Sequence, residues 1–324
     1  MTMGLVPRPL EIFARLRRYS RARAGKKLID PRDYQPALPL PDGYSRQQIH
    51  DILTAVSIDN SASGELYGYA SSDLERFIYT LALLPQDAAG PALEIGANPY
   101  FNTLLMRQFR PRLELTLVNY FGPGAPEGRQ TVAFPGFNGT RDSVEFRFDN
   151  INIEAEALPY PDNSFEYVIF CEVLEHMTHD PLRAVLELKR VMKPGAVMIL
   201  TTPNAARLEN AVAFLEGRNM YDPFSGYGPY GRHNREYTRH ELHMLMNHGG
   251  FDVESSFTAN VHPDLPLEQA NPHTLNTLLR QVRHREHDLG QYLFTRWVNA
   301  RPANEKLPRW LYRSYPDDRM AAAQ

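Results

Sequence analysis

The chain has very little cysteine, no long apolar run and only a small net charge. Cys171 is the single cysteine among 324 residues, so a disulfide within the chain is excluded and a reducing compartment is expected. No run approaches the roughly 20 apolar residues that a membrane span requires, and the N-terminus lacks the apolar stretch of a secretory signal. The formal charge of −3 gives no general attraction to nucleic acid. We therefore expect a soluble cytoplasmic protein that does not bind nucleic acid.

The composition is that of a globular protein, with 43% hydrophobic residues for a substantial core. We divide the chain into an N-terminal part (1–63), a main domain (64–300) and a tail (301–324). The N-terminal part contains a basic segment, 5–28, then a proline-rich linker and an accessory helix. Glu11 is the one acid of the basic segment. This segment predicts either peripheral contact with an anionic membrane or an ordinary helix docked on the domain.

The most informative stretch is 151–204. Within it, 167–171 is a short, continuously apolar run of β-forming residues, as expected of a parallel strand covered on both faces. Asp180 and Pro181 form the start of a helix, with Asp as N-cap and Pro in the first turn. A second buried strand follows at 196–200. The pattern strand, helix, strand predicts a doubly wound α/β sheet.

Three ionisable residues, Glu172, Glu175 and His176, follow directly after the first of these buried strands. Ligands of open α/β sheets bind at the carboxyl ends of the strands. These side chains are therefore expected to lie at the site where the chemistry takes place.

The remaining elements are predicted from periodicity and turn residues. Capping boxes at Ser72–Glu75 and Thr238–Glu241 indicate two helix starts. The segment 121–142 is rich in Gly and Pro without apolar periodicity and is predicted to be a long surface loop. Further strands are predicted at 91–96, 113–120, 144–148, 251–257 and 289–298.

The central block LPYPDNSFEYVIFCEVLEHM…ELKRVMKPGAVMILTTPN resembles the class I S-adenosylmethionine-dependent methyltransferases, in the branch with quinone and glycan O-methyltransferases. The resemblance extends over roughly 72–297. It implies a doubly wound sheet of seven strands, the last one antiparallel. It also implies that 217–237, rich in Gly, Pro, Tyr and His, forms a lid over the active site. An insertion, 261–288, stands where the family often has a short hairpin.

The resemblance implies S-adenosylmethionine as the methyl donor and assigns residues to its site. The implied cofactor-binding residues are Glu94, Gly96, Asn98, Asn119, Tyr120, Glu154, Ala155 and Cys171. Two of these depart from the family pattern, because Asn98 replaces a glycine and Asn119 replaces an acid. Asn98 is compatible with the left-handed backbone that such a loop needs. Asn119 either contacts the ribose hydroxyls or merely begins a loop.

Methyl transfer to a hydroxyl needs an aligned acceptor and a base or metal that stabilises its oxygen. Glu175, His176 and His233 are the implied catalytic residues. Glu172, Glu175, His176 and His233 together resemble the magnesium-binding residues of small-RNA 2′-O-methyltransferases, which implies a Mg²⁺ or Mn²⁺ site. In metal-independent family members, by contrast, the histidine acts as a base or orients the acceptor.

The resemblance favours O-methylation of a saccharide or glycan-precursor hydroxyl, as a step of surface-polysaccharide biosynthesis. Two alternatives stay open: a phenol or quinol O-methyltransferase, and a degenerate, non-catalytic cofactor-binding scaffold. The tyrosines of the lid either stack on a sugar or aromatic ring or pack the lid itself.

Overall fold

The computed structural model describes residues 35–59, 63–123, 125, 128–262, 270–285 and 287–322. The basic segment 5–28 lies outside these residues, so the expectation that it contacts a membrane stays a prediction. The described residues form a single mixed sheet of nine strands. The strands are β1 Ser57–Ile58, β2 Ala89–Ile95, β3 Arg112–Asn119, β4 Gly128–Pro135, β5 Arg141–Asn150, β6 Phe165–Cys171, β7 Met192–Pro203, β8 Phe251–Ala259 and β9 Tyr292–Asn299. The helices are α1 Arg46–Thr54, α2 Ser63–Ser72, α3 Leu74–Leu83, α4 Phe101–Phe109, α5 Pro181–Val191, α6 Leu208–Leu215, α7 Arg239–His248 and α8 Pro272–Val282.

The strand order is β1-β4-β5-β3-β2-β6-β7-β9-β8. Strands β5, β3, β2, β6 and β7 run parallel. Strand β9 lies antiparallel between β7 and β8. The predicted doubly wound fold with an antiparallel last strand is therefore confirmed, and two strands extend it at the β5 edge.

The sheet is covered by apolar residues on both faces. Along β6, Ile169 and Cys171 face one core cluster, whereas Val168 and Phe170 face the other. This alternation is what a strand buried on both faces requires. Helices α1 to α4 contribute to the first cluster, and α5 and α7 to the second. The tail joins the second cluster through Tyr312.

The prediction of a long loop over 121–142 is wrong. Strand β4 lies inside this segment and pairs antiparallel with β5 over its full length. Only Val132 and Phe134 of its side chains are buried, because the strand lies near the edge of the sheet. Its far side pairs with the two residues of β1.

Helix starts agree in part with the predicted capping boxes. Thr238 accepts a bond from the backbone of Glu241, and the Glu241 carboxylate accepts one in return, which confirms that box. The box at Ser72 is wrong, because α3 begins after Asp73, whose side chain makes no cap bond. Asp73 instead forms a buried ion pair with Arg76 at 2.8 Å.

Among the described residues, no helix combines the length and apolarity needed to cross a membrane. The insertion contributes α8, which packs against α6 through Leu279 and Val212. Both helices lie beyond the carboxyl end of β7, next to the lid. The fold therefore concentrates its irregular segments at one edge of the sheet, where the predicted site residues also lie.

Candidate active site at the carboxyl ends of the strands

The loop after β2 carries the predicted glycine motif. Gly96 is exposed and has a left-handed backbone, with φ +73°. A Cβ atom at this position would lie 2.7 Å from Cγ2 of Val173. We expected a left-handed backbone at Asn98, but it is Tyr100 that has this conformation, with φ +68°. The loop therefore leaves the backbone exposed at Gly96, but its second left-handed residue is Tyr100 and not Asn98.

Glu94, at the end of β2, lies beneath this loop and is 2% exposed. Thr103 donates a hydrogen bond of 2.6 Å to its carboxyl group. Burial raises the pKa of Glu94 to about 8, and the bond from Thr103 offsets this only in part. The carboxyl group is therefore mostly protonated at neutral pH and supports the loop from below.

Asn119, which replaces the usual acid after β3, is buried in an amide network. Its Oδ1 accepts the backbone N–H of Asn98 at 2.8 Å, and its Nδ2 donates to the hydroxyl of Tyr100 at 3.1 Å. That hydroxyl donates to Gln130 of β4 at 2.6 Å, and Gln130 also accepts from Nδ2 of Asn98. Asn119 therefore holds the loop after β2 in place.

Glu154 is committed to a structural role in the segment before α5. Its carboxylate accepts hydrogen bonds from the backbone N–H groups of Thr178, His179 and Asp180. Burial opposes ionisation, but these donors lower the pKa of Glu154 below its ordinary value. Ala155, next along the chain, is exposed and donates its N–H to the carbonyl of Asn152.

The two other predicted cofactor residues differ in accessibility. Cys171 is buried at the end of β6, and burial raises the pKa of its thiol to about 12. Tyr120 is partly exposed after β3, and its ring meets Tyr230 of the lid edge-on at 5.5 Å. The lid therefore reaches across to the strand ends on the cofactor side.

Glu172 also has a left-handed backbone, with φ +55°. Strained residues of this kind cluster at functional sites. Thr201 donates to its Oε1 at 2.8 Å, and Arg76 of α3 lies 3.9 Å from the same oxygen. Burial raises the pKa of Glu172 to about 7, although Arg76 opposes the shift. Glu172 thus connects β6 to the covering helices.

Glu175 is fully buried, with one satisfied and one unsatisfied carboxyl oxygen. Thr202 of β7 donates to Oε2 at 2.8 Å. Oε1 has no hydrogen-bond partner and lies 3.9 Å from Nε2 of His176. Burial raises the pKa of Glu175, and nearby His233 opposes this rise. A buried carboxyl oxygen without a partner is costly unless a ligand or ion completes it.

His176 and His233 lie beside this oxygen, and in each ring a hydrogen bond engages Nδ1. Nδ1 of His176 lies 2.9 Å from the carbonyl of Arg232 and must donate to it, which leaves a lone pair on Nε2. Nδ1 of His233 lies 3.2 Å from the carboxylate of Glu236. The two rings meet edge-on at 5.1 Å. Ligand atoms of Glu175, His176 and His233 all lie within 4.8 Å of one another, whereas Glu172 is not part of this group.

The pKa values of the two histidines shift in opposite directions. Burial lowers the pKa of His176, and the neighbouring His233 lowers it further. For His233, burial opposes protonation, but the bond to Glu236 and the charge of Glu175 raise the pKa above its ordinary value. His176 is thus the neutral acceptor of the pair near pH 7.

The lid is attached to this group by backbone hydrogen bonds. The N–H groups of Asn234 and Arg235 donate to the carbonyl of Glu175, and Nδ2 of Asn234 donates to the carbonyl of His176. Tyr237, at the end of the lid, is fully buried and pairs with Asn204 after β7. These contacts bring His233 to residues 57 or more positions earlier in the chain.

A cavity of about 450 Å³ lies between the lid, α6 and the start of β9. We call it the acceptor pocket, after the role that we propose for it. Its lining includes Arg207, Tyr221, His233, Glu236, His262 and Tyr292. His262 and Tyr292 are bonded to each other at 2.9 Å. His233 belongs both to this lining and to the group of candidate metal ligands, so the pocket lies next to Glu175 and His176.

Sequence reasoning missed several residues of the site. Gln130 was missed because β4 was predicted to be a loop. Tyr100 was missed because its hydroxyl bonds to Gln130, a contact that only the folded chain creates. Glu236 was signalled by its position three residues after His233, a spacing at which a carboxylate can orient an imidazole. Arg76 is buried, pairs with Asp73 and packs over the rings of Tyr69, Phe77 and Tyr292.

The strand ends fit an S-adenosylmethionine molecule through backbone and amide groups more than through carboxylates. Gly96 offers the close backbone approach, and Asn98 and Tyr120 are partly exposed beside it. The side chains of Asn119 and Glu154 bond to protein groups instead. When bound, this molecule supplies a methyl group on a sulfonium centre.

Parts of this chain are similar to known proteins. A protein of Mycolicibacterium smegmatis, named "Probable S-adenosylmethionine-dependent methyltransferase", is 30% identical over 136 residues, which are 41% of this chain and 47% of that protein. The ubiquinone/menaquinone biosynthesis C-methyltransferase UbiE of Hahella chejuensis is 38% identical over 63 residues, 19% of this chain and 23% of the enzyme. The chain thus spans less than half the length of these relatives.

Among solved structures, a chain of the complex between the Haloferax volcanii Trm112 methyltransferase activator and a methyltransferase has a TM-score of 0.47 and 16% identity. It covers 73% of this chain and 94% of that one. A family model described as a methyltransferase domain matches residues 68–256, which is more than half of the chain. This chain therefore belongs to the class I S-adenosylmethionine-dependent methyltransferase family.

Proposed function

We propose that the protein transfers a methyl group from S-adenosylmethionine to a hydroxyl of a saccharide or glycan precursor, with a divalent cation held by Glu175, His176 and His233. The observation that carries the proposal is the unpartnered Oε1 of Glu175, buried next to two imidazoles at the edge of the acceptor pocket. The family supports methyl transfer, and the polar groups of Arg207, Glu236 and Tyr292 in the pocket lining support a hydroxylated acceptor.

The donor set supports a cation at this group. Nδ1 of His176 is bonded to a carbonyl and Nδ1 of His233 to a carboxylate, which leaves both Nε2 atoms for a metal. Such outer hydrogen bonds are usual for metal-binding histidines. One carboxylate and two imidazoles suit Mn²⁺ or Zn²⁺ better than Mg²⁺, which prefers oxygen ligands. A cation there would bind the acceptor oxygen and favour its deprotonated form.

The residues of the chain would then carry the remaining steps. His176, neutral and with a free lone pair on Nε2, either ligates the cation or accepts the hydroxyl proton. Glu236 orients His233 by accepting a hydrogen bond from its Nδ1. The lid excludes water and fixes the acceptor for in-line displacement.

The test is calorimetric titration with S-adenosylhomocysteine, and separately with Mn²⁺ and Mg²⁺ after chelation. Glu175→Gln keeps the bond from Thr202 but removes the metal-binding oxygen, so Mn²⁺ affinity should fall at least about 100-fold. Glu172→Gln is the matched control, since Glu172 bonds to Thr201 outside the group. Equal loss in both variants would contradict the assignment.

Acceptor specificity is tested by transfer from labelled S-adenosylmethionine to pools of saccharides and of phenols or quinols. We expect labelling of saccharides and its loss in His176→Ala, with His179→Ala, an exposed neighbour, as the control. Labelling of phenols or quinols alone would replace the saccharide proposal with the small-aromatic one. No transfer and no binding of S-adenosylhomocysteine would favour a non-catalytic scaffold.

A further inference from the structure

The end of α6 and the lid carry an unusual concentration of exposed apolar side chains. We call Phe214, Leu215, Tyr221, Phe224 and Tyr227 the aromatic patch. Phe224, Tyr227, Tyr221 and Phe214 are 89%, 82%, 80% and 69% exposed, more than any other large hydrophobic residue in the described part of the chain. All five fall within 14 consecutive residues. Exposed apolar clusters of this kind mark interaction surfaces.

The exposure of the patch does not come from a loose lid. The same segment turns Tyr230 inward against Tyr120 and buries Tyr237 completely. The outer turn is held by its own hydrogen bonds, such as that from the N–H of Tyr227 to Ser225. Arg232 packs over the ring of Phe224 at 4.2 Å. The lid therefore has a packed inner side and an outer side that presents aromatic rings to the surroundings.

Exposed basic residues lie on α8, the helix that packs against α6. Residues 271–285, which include α8, contain three arginines and no acid, and Arg280 and Arg283 are exposed. This helix packs against α6, and the N–H of Asn271 donates to Glu216 at the start of the lid. The two acids of 214–232 are engaged, since Glu216 also pairs with Arg218, and Asp222 accepts the N–H of His233. Arg285 pairs with Asp288 at 3.0 Å, so Arg280 and Arg283 are the arginines through which α8 presents positive charge to the surroundings.

We propose that the aromatic patch and the exposed arginines of α8 dock onto the surface of an anionic phospholipid bilayer. Tyrosine and phenylalanine rings on a loop enter the interfacial layer of lipid headgroups, and neighbouring arginines bind the phosphates. The charge contrast favours an anionic lipid surface over a second copy of this acidic chain. The contact is peripheral, since the patch belongs to a loop and short helices.

The patch also lies at the mouth of the acceptor pocket, because Tyr221 belongs to both. A bilayer on this face would present a lipid-linked saccharide directly to His233. This part of the inference rests on the proposed function, whereas the docking itself does not. In a reaction sequence, methyl transfer would then come after the saccharide has been attached to its lipid carrier.

The test places an environment-sensitive fluorophore on the patch in the full chain. The natural cysteine, Cys171, is buried, so Phe224→Cys can be labelled selectively. A label on Arg147→Cys, exposed on β5 in the other half of the sheet, is the matched control. The probes are vesicles of phosphatidylcholine alone and of phosphatidylcholine with phosphatidylglycerol. We expect a blue shift at 224 with the mixed vesicles and no shift at 147.

Charge reversal provides a second measurement on the full chain. R280E together with R283E should lower flotation with the mixed vesicles about tenfold or more, because each arginine near an anionic surface contributes to binding. R129E together with R147E, exposed on β4 and β5, should change it little. The basic segment 5–28 is the same in both proteins, so it does not affect the comparison.

Four results would overturn the proposal: no shift at 224 with anionic vesicles, equal shifts at 224 and 147, a shift that follows protein concentration without vesicles, or a shift produced by soluble saccharide. The third would indicate self-association and the fourth sugar stacking. If vesicle binding fails while soluble saccharides are methylated, the proposed function stands and the docking surface falls. If the protein binds vesicles but transfers no methyl group, the docking surface stands and the proposed function falls.

Discussion

Replacing Glu94 by Gln tests how the loop after β2 is supported. Burial raises the pKa of Glu94 from an ordinary value of 4.5 to about 8. The folded protein therefore retains a proton that the unfolded chain releases. This contribution to stability is fully present below about pH 4.5 and is lost as the pH rises through about 8. Each pH unit in this window costs about 1.4 kcal/mol, so between pH 5 and pH 7.5 the loss is about 3 kcal/mol.

Gln is similar in shape, does not ionise and still accepts the bond from Thr103. The free energy of unfolding of Glu94→Gln, relative to the natural protein, should therefore rise by about 3 kcal/mol from pH 5 to pH 7.5. Urea denaturation across this range measures the difference. Glu114→Gln, exposed on β3, is the control and should show no such trend. A difference that stays constant with pH would refute the reasoning.

Three further predictions concern the loop after β2 and the helices over it. Gly96→Ala should lower the free energy of unfolding by about 1–2 kcal/mol because its backbone is left-handed, and by more because the new Cβ would collide with Val173. Gly139 is also left-handed but lies in open space, so thermal unfolding of Gly139→Ala measures the backbone effect alone. Gln130→Ala should weaken S-adenosylhomocysteine binding about tenfold by releasing Asn98 and Tyr100, whereas Arg129→Ala should not; equal affinities in calorimetry would contradict this. Arg76→Leu should lower the free energy of unfolding by about 3–5 kcal/mol, because it leaves buried Asp73 without its ion-pair partner. Arg129 belongs to an exposed ion pair, so Arg129→Leu should lower it by under about 1 kcal/mol in the same denaturation assay.

Much of the sheet was predictable because its strands are long, apolar and bounded by turn residues. β6 is the clearest case, since a strand buried on both faces must be continuously apolar. β4 was missed because it lies near an edge, where only Val132 and Phe134 are buried, and because Gly and Pro flank it. The start of α3 was misplaced because Asp73 bonds to Arg76, a contact that competes with capping.

The sequence by itself determined the family block, the parallel sheet and the position of Glu172, Glu175 and His176 after β6, because local periodicity and chain order set these. Tertiary structure alone decided which polar groups face one another. It brought His233 to Glu175 through the lid, turned Glu172 towards Thr201, and committed Asn119 and Glu154 to protein groups. Buried donors and acceptors pair with whatever the packed chain places within about 3 Å, and sequence spacing does not encode that distance.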